Sequence, residues 1–234
     1  MKASQSKVIP YEVIRSRRST ADIIIERDGN VLVRAPEWAD DEQVANIVES
    51  KYHWIYQGLA EWRDLNATRI DREYKNGEGF LYLGRAYRLL IVNDQSEALQ
   101  LKDDRFTLRR DLIGQGEIEA GKAAFRDFYI AKGLKYLRTR LDYYAPKVGV
   151  DPAGLEVRDL GYRWGSCSPK RELSFHWKCM MAPPTIIDYV VVHELCHFHY
   201  RDHTLAFWNE VDKVLPDFGE RREWLRKNGA SLDA

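Results

Sequence analysis

The chain has 234 residues, 44% hydrophobic and 31% charged, with 36 basic and 36 acidic side chains. This balance describes a folded chain with a sizeable core and excludes a disordered, collagen-like or disulfide-rich mini-protein. Zero net charge supplies no global pull toward nucleic acid or an anionic membrane, so any such contact needs a local basic patch.

No apolar signal core follows Met1 to Lys7, and the longest apolar stretch, Ile186 to Val192, is broken by Asp188 and too short to span a bilayer. The three cysteines, Cys167, Cys179 and Cys196, have no CxxC spacing. With no secretory signal, they point to reduced thiols in the cytoplasm, a Cys167–Cys179 bridge being the alternative.

In chain order, Ala21–Arg27 and Val31–Ala35 are apolar and β-branched, and Asp28-Gly29-Asn30 between them is a hairpin signal. Asp40 and Gln43 form an N-cap pair. Val44, Ile47, Val48, Ile55, Leu59 and Trp62 then follow at helical spacing, which predicts one long helix to about Leu65. Two more hairpins are expected: Phe80–Leu83 with Ala86–Val92, turning at Gly84-Arg85, and Leu99–Lys102 with Arg105–Arg109, turning at Asp103-Asp104. Gly114-Gln115-Gly116 is the candidate boundary, giving a β-rich accessory module over 1–115 and a second domain over 116–234.

Beyond it, Ile130, Leu134, Leu137, Leu141 and Tyr144 mark an amphipathic helix ended by Pro146. Its other faces carry Arg126, Lys132, Lys135, Arg138 and Arg140, read as a solvated basic face rather than a nucleic-acid helix. Leu155–Leu160 and Leu173–Lys178 alternate as strands, with a turn-rich loop, Gly161 to Pro169, between them. The second strand is either an edge that pairs with an extended substrate or plain sheet core.

The sharpest signal is His193-Glu194-Leu195-Cys196-His197. On a helix, positions i and i+4 share a face, so both imidazoles can reach one metal ion, and Glu194 can hold a water and take its proton. Pro183-Pro184-Thr185 suits a helix start, although Val190-Val191-Val192 also suits a strand. A catalytic zinc needs a third protein ligand. His203 is the first choice, because His193-Glu194-x-x-His197-x-x-Tyr200-x-x-His203 has the extended metzincin spacing. Tyr200 replaces the glycine of that motif, and no methionine follows His203, so the site is zincin-like without a Met-turn. Glu210, on a following helix capped at Asp202 or Thr204 and ended by Pro216, is the rival ligand. Phe207 and Trp208 on that helix read as packing against the metal helix, and Cys196 as a small packing residue.

Several stretches resemble the YgjP-like metal-dependent hydrolases, a zincin-like group related to the SprT and Spartan-type metallopeptidases. They are Arg163-Trp164-Gly165-Ser166-Cys167-Ser168 (after Tyr162), Leu173-Ser174-Phe175, Ala182-Pro183-Pro184, and Ile187-Asp188-Tyr189 through His197, then His203 and Phe207-Trp208. The Tyr82-Leu83-Gly84 hairpin is similar too. His176 stands where that family carries asparagine, and Thr204 where serine is commoner. The resemblance implies one zinc per chain held by His193, His197 and His203, Glu194 as general base, and a peptide or protein substrate. It also implies a nucleic-acid context, since some members sit near restriction–modification functions.

The expected fold is therefore α+β: a strand-rich N-terminal half, then a zincin-like helical metallopeptidase domain with a small antiparallel sheet. Arg163, His176 and Tyr200 are candidates for stabilising the oxyanion, and Trp164 for lining the cleft. Two other readings stand beside the peptidase. One is a binding or scaffolding module with a structural or vestigial metal site, working with nucleic-acid enzymes. The other is a hydrolase of a non-peptide amide or ester.

Overall fold

The computed structural model describes residues 9–26, 29–66, 72–114, 118–161 and 163–234. It is mixed α and β, and its contacts divide into two compact units, Met1–Arg69 and Ile70–Ala234. The sequence boundary expected at Gly114-Gln115-Gly116 falls partly on residues 115–117, outside the described residues.

The first unit contains β1 (Glu12–Ser16), β2 (Asp22–Ile25), β3 (Val31–Pro36), α1 (Asp41–Ser50) and α2 (Tyr52–Asn66). β3 is the central strand, antiparallel to β2 and parallel to β1. Of the expected β2–β3 turn, Asp28 lies outside the described residues, and Gly29 has φ of 88°. β1 was not legible in the sequence because it is mostly exposed and carries no clean alternation. The capping box at Asp40 and Gln43 forms as expected, each side chain bonding the other's backbone N–H. The single helix expected after it is two helices, because Lys51 leaves helical geometry at φ −107° and ψ 8°. Val31, Val33, Ala35, Val44, Val48 and Ile55 form an aliphatic core of this unit's own.

The second unit opens with β4 (Gly79–Tyr82), β5 (Arg85–Val92), β6 (Leu99–Lys102) and β7 (Arg105–Arg109), in the order β4-β5-β7-β6. The β6–β7 turn falls on Asp103 and Asp104, both with positive φ, as expected. The β4–β5 turn falls one residue earlier than expected, on Leu83 and Gly84, with φ of 49° and 76°. A type I′ turn needs positive φ at both central positions, and placing Gly84 second supplies one of them without strain. The tip of this hairpin reaches the chain just before the helix that starts at Pro184. Leu83 N–H donates to Met180 O at 2.8 Å and Gly84 N–H to Met181 O at 3.1 Å. A Cβ at Gly84 would lie 2.9 Å from Pro183 Cα, so only glycine permits this approach.

α3 (Glu119–Val148) is longer than expected at both ends. Pro146 sits within its last turn, and the helix stops at Gly149 in the left-handed conformation. Its buried face is built from Phe125, Phe128, Tyr129, Leu137, Leu141 and Tyr144, whereas Leu134 is exposed. Phe80 stacks on Phe125 at 4.2 Å between ring centres, and Phe106 meets Phe125 at 5.1 Å, so the sheet and α3 share one core.

A second small sheet follows: β8 (Gly154–Arg158), β9 (Gly165–Cys167) and β10 (Glu172–His176), in the order β8-β10-β9. It is mixed and not antiparallel, because the loop after β8 carries the chain past the slot that β10 later fills beside β8 in parallel. β10 is central, with Leu173 and Phe175 fully buried, so it is not an edge strand. The edges are β8 and β9, and β9 lies within the segment whose composition predicts a turn-rich loop. β10 ends at His176, and Trp177–Met181 form a 3-10 turn leading to α4 (Pro184–Cys196). α5 (Leu205–Val214) and α6 (Phe218–Asn228) complete the unit. No helix among the described residues is long and apolar enough to cross a membrane.

Candidate metal centre

α4 starts at Pro184, whose missing N–H costs nothing in a first helical turn. Val190, Val191 and Val192 are helical and buried; their packing overrides a local preference for strand. One charged pair fixes the helix to α3. Arg140 Nε and Nη2 donate to Asp188 Oδ1 and Oδ2 at 2.6 and 2.7 Å, and Tyr144 Oη donates to Oδ2 at 3.0 Å. This fork satisfies a carboxylate that is only 7% exposed. One turn after the metal motif begins, His199 Nε2 lies 2.9 Å from Val148 O, tying the end of α4 to the end of α3 and taking His199 out of the ligand set.

His193, His197 and His203 converge, with one nitrogen of each lying within 4.8 Å of the others. His193 Nε2 and His203 Nε2 are 3.0 Å apart. Tetrahedral zinc with bonds of about 2 Å holds its nitrogens about 3.3 Å apart, so the donor set and its spacing fit such an ion. His197 Nδ1 lies 2.9 Å from Tyr200 O, and donating to that carbonyl leaves the His197 Nε2 lone pair free. Burial, then the neighbouring His197 and His203, push the His193 pKa down to about 3, and burial lowers that of His203. Both rings are thus held neutral, the form that binds a metal. His193 Nδ1 is buried without a hydrogen-bond partner.

The bend between His197 and His203 needs no glycine: Tyr200 N–H bonds Cys196 O at 3.1 Å, and Tyr200 is not among the residues with positive φ. Thr204 Oγ1 accepts the Phe207 N–H at 3.4 Å and starts α5. Phe207 then lies beneath all three imidazoles, with ring centres 4.7 to 4.9 Å away. Trp208 stacks on His203 at 5.5 Å and on Phe218 at 5.4 Å. The aromatic pair packs the histidines, as expected. Glu210 is outside the cluster and pairs with Lys213 Nζ at 2.6 Å.

Glu194 is 5% exposed and presses on the edge strand. A Cβ on Gly165 would sit 2.6 Å from Glu194 Cγ and Oε1, so β9 can approach only because residue 165 has no side chain. Burial pushes the Glu194 carboxyl up to about 8, and the Arg163 charge acts against that rise. Arg163 is exposed and within electrostatic reach of Glu194. Tyr200 is exposed at the bend. Trp164 and His176 face each other across β9 and β10: His176 N–H donates to Trp164 O at 2.8 Å, and the rings meet edge-on at 6.1 Å. His176 is itself buried, and its Nδ1 accepts the Lys178 N–H at 3.1 Å, capping the 3-10 turn. All three cysteines are free; burial pushes the Cys196 thiol up to about 12. Tyr189, one turn before His193, meets that ring edge-on at 5.8 Å and was not singled out for the site from sequence.

A family model described as YgjP-like, metallopeptidase domain, matches residues 19–228, and the chain belongs to that metallopeptidase family. No curated protein matches it. Among solved structures, the metallopeptidase zymogen of Pyrococcus abyssi abylysin aligns at 20% identity and a TM-score of 0.35, over 37% of this chain and 89% of that one.

Proposed function

We propose that the chain is a zinc-dependent peptidase in which His193, His197 and His203 hold the metal and Glu194 is the general base. The observation that carries this reading is the convergence of three imidazole nitrogens within 4.8 Å, from α4, its C-cap and the segment before α5, beside Glu194, which is buried against an edge strand. A bound zinc supplies Lewis acidity and brings the pKa of water toward 7.

The protein's own residues supply the rest. Glu194 takes a proton from the attacking water and delivers one to the leaving amine. β9 has one free edge in its sheet, and an extended peptide pairing along it would run past Glu194. Arg163, Tyr200 and Tyr189 offer donors for the developing oxyanion, while His176 serves that role less well because it is buried and its Nε2, the donor left when Nδ1 accepts, faces Asp159 Oδ1 at 3.5 Å. A cytoplasmic location, expected from the cysteine usage, belongs to the same reading.

Metal content by mass spectrometry tests the ligands. The expected result is one zinc per chain in the wild type, lost in His193→Ala and His203→Ala and kept in Glu210→Ala. Cleavage of an unfolded generic protein by wild type and not by Glu194→Ala tests the chemistry. Turnover of small amides or esters without any cleavage of proteins would instead favour the non-peptide hydrolase.

A further inference from the structure

Three histidines and Glu194 account for holding a metal and moving a proton, and leave open what chemistry the substrate brings. α6 supplies a group that answers this. Arg222 is exposed, and its guanidinium carbon lies 4.7 Å from the centre of the Trp208 ring. Trp208 in turn stacks on His203, with 23° between the ring planes. The guanidinium is thus within about 10 Å of the His203 ring, a span of about three extended residues at ~3.3 Å each. Its charge also reaches His193 and His203, adding to the lowering that burial causes, and Tyr189, where it opposes the rise that burial causes.

The other cations of α6 are engaged. Arg221 bonds Asp217 and Thr185 O, and Arg226 and Lys227 pair with Glu223. Arg222 has neither a carboxylate partner nor a hydrogen bond among the described residues. A cation–π contact uses the charge of the guanidinium without taking up its N–H groups, which can still receive a carboxylate in a fork. A fixed positive charge beside three metal ligands also repels a divalent cation, a cost that an incoming anion cancels.

We propose that Arg222 is a specificity-determining residue that binds a substrate carboxylate within about three residues of the bond cleaved. The carboxylate is either the free end of the peptide chain or an acidic side chain. The inference rests on the peptidase reading for the words "bond cleaved", while the carboxylate site itself can be tested without catalysis.

The experiment uses three quenched-fluorescent peptides of one sequence: a C-terminal acid, its C-terminal amide, and the amide with one glutamate added near the end. In the full-length zinc-loaded wild type, the acid or the glutamate peptide should exceed the plain amide about tenfold or more in kcat/KM, and which of the two does so identifies the source of the charge. Arg222→Gln should bring that ratio to about one with zinc content unchanged, and Arg222→Lys should restore part of it. Calorimetric titration of the same peptides into Glu194→Gln should show the same Arg222-dependent preference as affinity. Equal cleavage of all three peptides by wild type would overturn the inference and leave the peptidase standing. No cleavage, with Arg222-dependent binding of the anionic peptides, would support the carboxylate site and sink the peptidase. A preference that persists in Arg222→Gln would assign the anion to another residue and overturn the inference.

Discussion

The two compact units spend their interiors differently. The core of the first is aliphatic, made of valines, isoleucines and alanines. The second adds stacked aromatics and holds every buried polar side chain among the described residues: His176, Asp188 and Glu194. An apolar interior needs only volume and pattern to be stable. Burying a carboxylate is costly unless something compensates it. Two of the three are compensated within the chain, Asp188 by Arg140 and Tyr144, and His176 by capping. Glu194 is the one whose carboxyl burial drives up to about 8, and it is the one beside the histidine cluster. The contrast teaches that a buried carboxyl driven far from its ordinary pKa, more than burial itself, marks the candidate site of this molecule.

Four substitutions would break or sharpen that contrast, the first acting on chemistry and the rest on smaller effects. Glu194→Ala should cost about a thousandfold in kcat while leaving the thermal midpoint the same or higher, since it removes a buried group that folding disfavours; an activity scan beside calorimetry decides this. Asp188→Ala should cost about 3–5 kcal/mol of stability, because it leaves Arg140 without its fork, and denaturant unfolding measures it. Gly165→Ala should lower kcat about tenfold or more and cost about 1–3 kcal/mol of stability, because the new methyl displaces the Glu194 side chain. Steady-state kinetics beside a denaturant midpoint would separate the two effects. Asp40→Ala, in the first unit, should cost about 1 kcal/mol, the value of a lost cap, and should leave any activity unaltered.

The centre of the site was legible because its chemistry is local. Two of the proposed ligands and the proposed base fall within five consecutive residues, and Phe207 and Trp208 lie within a turn of the helix start that follows His203. Glu210 and His203 competed on spacing alone, and the fold brings only His203 to the pair. What was not legible depends on approach between distant segments. β9 has only three residues, too short for a periodic signal, and the need for glycine at 165 arises from Glu194, 29 positions later. α6 carries no apolar signal, because it is mostly polar and buries little beyond Leu225. Likewise, the break at Lys51 left no mark in the apolar spacing, which continues across it.

The β4–β5 hairpin tip has a consequence for how the chain is made. Leu83 and Gly84 leave the ribosome about a hundred residues before Met180 and Met181, the carbonyls they bind. Until those arrive, the hairpin tip has no partner and the segment that launches α4 has no support. The contact closes a long loop, the kind of step that slows folding. The region around the histidines therefore acquires its final shape late in synthesis, and a nascent chain that stalls before residue 180 holds the prop without the helix it serves.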